Sequence, residues 1–216
     1  MSLRTTCLVL SCIAALGPTA LQAQNVLSNP GFSNALGITG WHPTGSNASF
    51  TWSSTDRLAS PSSGSASIAF SVGMFTTPSA SASLDQCYPA VGGTTYDIGA
   101  YVNGTASCTD GIAGDTATVS YIFWLGAGCS LMGSSINKQV PTLDGAWHLY
   151  QWTGVVSPGG AQSVQISLTA ACVGTATPSS LAILFDDAFL QCTSADGSPP
   201  LVSAPVAATV TQTVCN

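Results

Sequence analysis

Two adjacent carboxylates, Asp186 and Asp187, stand in the apolar run ILFDDAFLQC near the end of the chain. Paired carboxylates supply the acid and base of glycoside hydrolysis when both reach one cleft. Successive side chains of a strand point to opposite faces, so these neighbours cannot easily form such a pair. The two histidines, His42 and His148, lack metal-site spacing, and no G-x-S-x-G motif marks a nucleophile. The sequence therefore predicts a protein that is not an enzyme.

Aromatic rings and amides outside the core are the groups that would recognise a sugar. Flat rings pack against the C–H faces of pyranoses, and amides hydrogen-bond the hydroxyl groups. Alternation along the strand TYDIGAYVN places Tyr101 off the core face. The candidate ligand-binding residues are Tyr101, Asn103, Trp124, Trp152 and Trp41. The alternative for each tryptophan is an ordinary packing role.

The cysteines indicate disulfides. Of the eight in the chain, two lie in the N-terminal leader, and no C-x-x-C pair suggests a metal site. An even number in an exported chain predicts disulfide bonds, whose pairing the sequence leaves open. The six cysteines concerned are Cys87, Cys108, Cys129, Cys172, Cys192 and Cys215.

Charged residues make up only 6% of the chain, glutamate is absent, and the formal net charge is −6. A nucleic-acid partner or an anionic membrane surface requires a basic footprint, which this composition excludes. The surface must be built from Ser, Thr, Asn and Gly, which suits neutral, hydroxyl-rich partners.

Residues 1–23 have the layout of a secretory signal peptide, with one arginine, a short apolar run and small residues up to Ala23. No stretch is long and apolar enough for membrane insertion. Residues 24–193 are expected to form one domain, and the Pro-, Ser-, Ala- and Thr-rich residues 194–216 a C-terminal tail. The expected location is secreted, periplasmic or on the cell surface.

Short β-rich runs separated by turn residues cover the mature part, and no helical periodicity interrupts them. This pattern predicts an all-β, disulfide-stabilised jelly-roll sandwich of two antiparallel sheets with about eight or nine strands. The runs are residues 25–28, 48–54, 65–72, 81–90, 94–103, 116–126, 146–156, 161–173 and 180–192.

Four motifs, in order, resemble secreted bacterial carbohydrate-binding modules with a galactose-binding-like jelly roll. They are NVLSNPGFSN at the start, SLDQCYPAVGGTTYDIGAYVNG and LDGAWHLYQWTGVVSPGGAQSVQISL in the middle, and ILFDDAFLQC at the end. The resemblance covers about residues 25–192. It implies that the first strand pairs near the last, with Phe32 and Phe185 or Phe189 in the core. It also implies that Trp147 is a packing residue of the core.

The same resemblance implies a structural calcium ion, held by an acid after the phenylalanine of the first strand and an aspartate of the last. Here Ser33 occupies the first of these positions, so a charged ligand is missing. Asp186 and Asp187 remain as candidate metal ligands, because calcium prefers carboxylate oxygens. No other cofactor is expected.

The function that the sequence favours is a non-catalytic module that binds a neutral polysaccharide or glycan through surface aromatics and amides. One alternative is an extracellular structural or adhesion domain that uses the same fold for contacts with a protein partner. A hydrolase is the third alternative, and it would need two carboxylates in one cleft.

Overall fold

The computed structural model describes residues 24–45, 48–71, 79–105, 116–132, 137–173 and 180–193. The expected signal peptide and tail, with Cys108 and Cys215, lie outside the described residues. Within the described ranges the regular elements are all strands, and no helix there has the length and hydropathy of a membrane span.

Eleven antiparallel strands form two sheets. The six-stranded sheet has the order β1-β4-β10-β6-β7, with β8 also paired to β6, and the five-stranded sheet has the order β2-β3-β11-β5-β9. The predicted all-β sandwich of two antiparallel sheets is confirmed. The strands are β1 His42–Gly45, β2 Ala48–Ser53, β3 Ser65–Ser71, β4 Ser79–Pro89, β5 Thr95–Gly104, β6 Thr116–Gly126, β7 Ser130–Met132, β8 Asn137–Gln139, β9 His148–Val156, β10 Ser163–Val173 and β11 Ser180–Cys192.

The strand count is higher than expected because β1, β7 and β8, of three or four residues each, carry no alternating apolar pattern. The run at 25–28 is not a full strand. Asn25 forms an isolated bridge with Gln191, and the backbone N–H of Val26 donates to the carbonyl of Leu190 at 2.9 Å. The start of the domain therefore does pair with its last strand, as expected.

Alternation on the long central strands builds the core between the sheets. On β10, Val164, Ile166, Leu168 and Ala170 are fully buried, and the side chains between them face outward. β5 follows the expected pattern, with Tyr96, Ile98, Ala100 and Val102 inside.

The phenylalanines expected in the core are Phe32 and one of Phe185 and Phe189. Phe32 and Phe185 are fully buried, whereas Phe189 is half-buried and its ring lies against Gly99 on the outer side of the five-stranded sheet.

Candidate functional site

The outer face of the six-stranded sheet is lined by polar side chains. On β10, Gln165 and Ser167 alternate with buried residues, and the register places Gln165 beside Cys87 on β4 and Ile122 on β6. We call this surface the polar face. It consists of Ser83, Asp85, Cys87, Thr118, Ser120, Ile122, Trp124, Gln165, Ser167 and Thr169.

One row across this sheet places hydroxyl groups between an acid and a base. In order through β1, β4, β10, β6 and β8, it carries His42, Asp85, Ser167, Ser120 and Lys138. The hydroxyl of Ser83 donates to Asp85 Oδ2 at 2.9 Å, which fixes one carboxylate oxygen. On the strands of this sheet Asp85 is the one carboxylate and Lys138 the one amine.

Trp124 stands at one end of the polar face with an unused donor. Its indole Nε1 is shielded from solvent and has no hydrogen-bond partner among the residues that the structure describes. Buried polar groups are nearly always paired, so the acceptor for this indole N–H is expected outside the described residues. The amide of Gln165 is also weakly engaged by the described residues, because the one partner recorded there for its Nε2 is Ser167 Oγ, at 3.4 Å.

A disulfide-bonded turn covers the end of the polar face next to Trp124. Cys129, in the turn between β6 and β7, is bonded to Cys87 on β4, although β10 lies between β4 and β6. The turn therefore crosses β10 on its outer side. Ser163 is 1% exposed beneath it, where its hydroxyl donates to the carbonyl of Gly126 at 2.6 Å and accepts the N–H of Cys129 at 2.9 Å.

The other outer face carries the two predicted β5 candidates. Tyr101 points outward as expected, but the guanidinium of Arg57 lies 3.9 Å from the centre of its ring. A cation on that side of the ring occupies the surface on which a sugar would pack. Asn103 Nδ2 donates to the carbonyl of Gly145 at 3.0 Å, so this amide is partly committed to its own loop. The five candidates thus do not form one site.

Two of the predicted ligand-binding tryptophans do not lie on an open surface as expected, because Trp41 is in the core and Trp152 is half-buried against it. Trp41 is 5% exposed, stacks on Phe32, and donates its indole N–H to the carbonyl of Asn29 at 3.2 Å. Trp152 packs edge-on against Tyr121, with 4.9 Å between the ring centres. Alternation along β9 separates Trp152 from Leu149 and Gln151, but it does not say which of the two sides faces the core.

The expectation for Trp147 was also wrong. Trp147 is half-buried and is not part of the core cluster of the described residues. By alternation it lies on the same side of the chain as Leu149 and Gln151, which face outward. Gln165 and Asp85 were not singled out from the sequence. The run SVQISLTA contained the signal, since its apolar residues alternate with Gln165 and Ser167.

The paired aspartates lie at a β-bulge in β11, where the register with β5 shifts between Asp186 and Phe189. Asp186 is 1% exposed, and burial raises the pKa of its carboxyl to about 6. Its two oxygens accept the backbone N–H groups of Arg57, at 3.0 Å, and of Asp187, at 2.7 Å. Asp187 Oδ2 accepts the guanidinium of Arg57, with Nε at 3.0 Å.

These partners do not fit a bound calcium ion. Calcium takes about six to eight oxygen ligands, whereas the carboxylates here face N–H donors. The N–H of Ser33, at the position of the missing acid, donates to Asn29 Oδ1 at 2.8 Å. No group of three or more candidate metal-binding side chains occurs within the described residues.

Of the six predicted disulfide cysteines, Cys87 and Cys129 are paired with each other, and Cys192 is disulfide-bonded. The side chain of Cys172, like Cys108 and Cys215, lies outside the described part.

Comparisons with known proteins relate this chain to others through its fold. No family model and no curated protein sequence matches it. Among solved structures, the enzymatically active domain of tailspike protein 4 of bacteriophage CBA120 matches 78% of this chain at 15% identity and a TM-score of 0.59. A carbohydrate-binding module of family 61, solved with β-1,4-galactotriose, matches 78% of this chain and 98% of its own length, at 16% identity and a TM-score of 0.52.

An arabinose-bound α-L-arabinofuranosidase matches 81% of this chain at 13% identity and a TM-score of 0.52. This chain spans only 21% of the tailspike chain and 27% of the arabinofuranosidase chain, but nearly the whole binding module. The expected resemblance to carbohydrate-binding modules is therefore confirmed at the level of the β-sandwich fold.

Proposed function

We propose that this protein is an exported, non-catalytic module that binds a neutral glycan on the polar face. The observation that carries the proposal is the combination of an indole N–H without a partner in the described residues and a sheet surface of hydroxyl, amide and carboxylate groups beside it. The family 61 module that shares the fold was solved with a β-1,4-linked galactotriose, which makes β-galactan the first ligand to test.

The chemistry of the polar face suits sugar hydroxyl groups. Serine and threonine hydroxyls both donate and accept, and the amide of Gln165 and the carboxylate of Asp85 add directional partners. The ring of Trp124 offers apolar area for a sugar C–H face. Because few charges lie on this surface, an uncharged ligand would be preferred to an acidic one.

The same face argues against hydrolysis. Glycosidases commonly place two carboxyl groups on either side of the scissile bond. Asp85 is the one carboxylate that the strands of this sheet carry, and Asp186 and Asp187 lie on the other sheet, bound to Arg57.

Affinity electrophoresis through gels containing β-1,4-galactan, arabinan, xylan, β-glucan or mannan tests the proposal. We expect retardation by at least one polysaccharide. Gln165→Ala should weaken binding by roughly 3- to 10-fold, the loss of one or two hydrogen bonds. Trp124→Phe, which removes the indole N–H and keeps a ring, should weaken it by a similar factor.

Gln151→Ala is the matched control, because Gln151 is an exposed glutamine on the outer face of the other sheet. It should migrate like the unmodified protein. Free migration through every gel would overturn the proposal. In that case the exposed Leu131 and Leu125 beside the disulfide turn, 75% and 43% exposed, would direct the search to a protein partner.

A further inference from the structure

Three segments meet at the bulge of β11 on the five-stranded side: the bulge itself, an N-terminal turn and a loop that carries Arg57. The turn at 29–31 touches the β11 bulge, where the N–H of Ala188 donates to the carbonyl of Pro30 at 3.0 Å. A Cβ on Gly31 would lie 3.2 Å from Asp187 Oδ1, so this turn packs directly on the carboxylate. The third segment is the loop at 54–63, which brings Arg57 over the bulge.

The loop holds Arg57 in place through a fixed local turn. Asp56 Oδ1 accepts the backbone N–H groups of Leu58, at 2.7 Å, and Ser60, at 2.8 Å, an arrangement typical of an Asx turn. Asp56 Oδ2 accepts the hydroxyl of Ser63 at 2.5 Å. With the loop shaped in this way, Arg57 reaches the bulge through both its backbone and its side chain.

Arg57 contacts its neighbours through its backbone, one edge of its guanidinium group and one guanidinium face. Its backbone N–H binds Asp186, its Nε and Nη2 bind Asp187 at 3.0 and 2.5 Å, and its guanidinium plane covers the ring of Tyr101. The Arg57 side chain is 24% exposed. Asp187 has a φ of 42°, an uncommon backbone conformation that is retained where the surroundings enforce it.

We propose that the guanidinium of Arg57 holds this joint in place of the structural calcium that the resemblance to carbohydrate-binding modules implies. Either cation would neutralise Asp187, on which the N-terminal turn packs. Arg57 also connects the loop at 54–63 with the last strand and with Tyr101 on β5. Ser33 in place of an acid fits the exchange, because a singly charged cation balances one fewer carboxylate than a doubly charged one. The fold is therefore independent of calcium.

Thermal unfolding of the unmodified protein, with excess calcium chloride or with EDTA, tests the proposal first. We expect the same midpoint in both conditions. A calcium ion bound only to the folded state at about 100 times its Kd would raise the midpoint by roughly 5 to 10 °C. A rise of that size with calcium, or a fall with EDTA, would overturn the proposal without any variant having to fold.

Variants of Arg57 test its role directly. Arg57→Met should lower the midpoint by roughly 2 to 8 °C, because it removes a partly exposed ion pair and the contact between the guanidinium and the ring of Tyr101. Arg57→Lys should recover only part of this loss, since an ammonium lacks the planar fork and the flat stacking surface. Lys138→Met on the short strand β8 is the matched control and should change the midpoint by less than about 2 °C.

The double variant Arg57→Met with Asp187→Asn separates charge pairing from simple packing. If the ion pair is the stabilising contact, this double variant should be more stable than Arg57→Met alone. An Arg57→Met midpoint equal to that of the unmodified protein would refute the proposal. The proposal would also be refuted if adding Asp187→Asn to Arg57→Met lowered stability as much as Asp187→Asn alone lowers that of the unmodified protein.

Discussion

The Cys87–Cys129 bond allows a stability prediction whose magnitude comes from the structure. The bond joins residues 42 positions apart, and closing a loop of that length removes entropy from the unfolded chain worth about 4 kcal/mol at 25 °C. Cys87 is exposed and Cys129 is half-buried, so replacing both by serine removes little packing. We expect the double variant to unfold with a midpoint roughly 8 to 16 °C lower.

Unfolding in guanidinium chloride under non-reducing conditions measures the loss in free energy of unfolding, and thermal unfolding measures the change in midpoint. The double replacement is preferable to a reductant, because Cys192 is also disulfide-bonded and would be reduced as well. Ser163→Ala keeps the bond but removes the hydrogen bonds that hold the turn, and it should cost only about 1 to 2 kcal/mol. A loss below about 1 kcal/mol in the cysteine variant would show that loop closure does not govern its stability.

Burial raises the pKa of Asp186 to about 6, above the ordinary 3.8, so folding favours its protonated form. The stability that this group contributes is present below about pH 4 and is lost as pH rises through 6. Urea unfolding across this range should show the free energy of unfolding falling by up to roughly 3 kcal/mol. Asp186→Asn should abolish that fall. Gly92→Ala should destabilise the fold by about 1 to 3 kcal/mol, because a Cβ there would lie 2.4 Å from the carbonyl oxygen of Gly159. Gly159→Ala, with open space around its Cβ, should be neutral in the same assay, and equal effects would contradict the steric argument.

The fold class followed from the sequence because long strands carry their own pattern. β5 and β10 alternate over ten and eleven residues, so each determines its buried face without help from a neighbour. β7 and β8 have three residues each and are strands only because β6 offers them an edge. No local signal could have revealed them.

The site was harder to predict because alternation separates two faces without saying which one is buried. His148, Tyr150 and Trp152 share a face of β9, and Trp152 is packed inside because that face of the edge strand meets Tyr121 of the opposite sheet. The disulfide partner of Cys87 likewise depends on topology. Cys129 reaches it only because a turn folds back across β10.

Tyr101 and Trp124 are the two aromatic candidates that point outward, and they differ in what covers them. On the five-stranded side, the loop at 54–63 places the Arg57 guanidinium on the ring of Tyr101 and engages both aspartates of the bulge. On the six-stranded side, the disulfide turn covers Ser163 but leaves Trp124 with an indole N–H that no described residue accepts. A ligand must displace Arg57 to reach the ring of Tyr101, whereas an acceptor at Trp124 would pair with a donor that no described residue engages. The proposed binding on the polar face therefore predicts that Tyr101→Ala retains the glycan affinity that Trp124→Phe weakens.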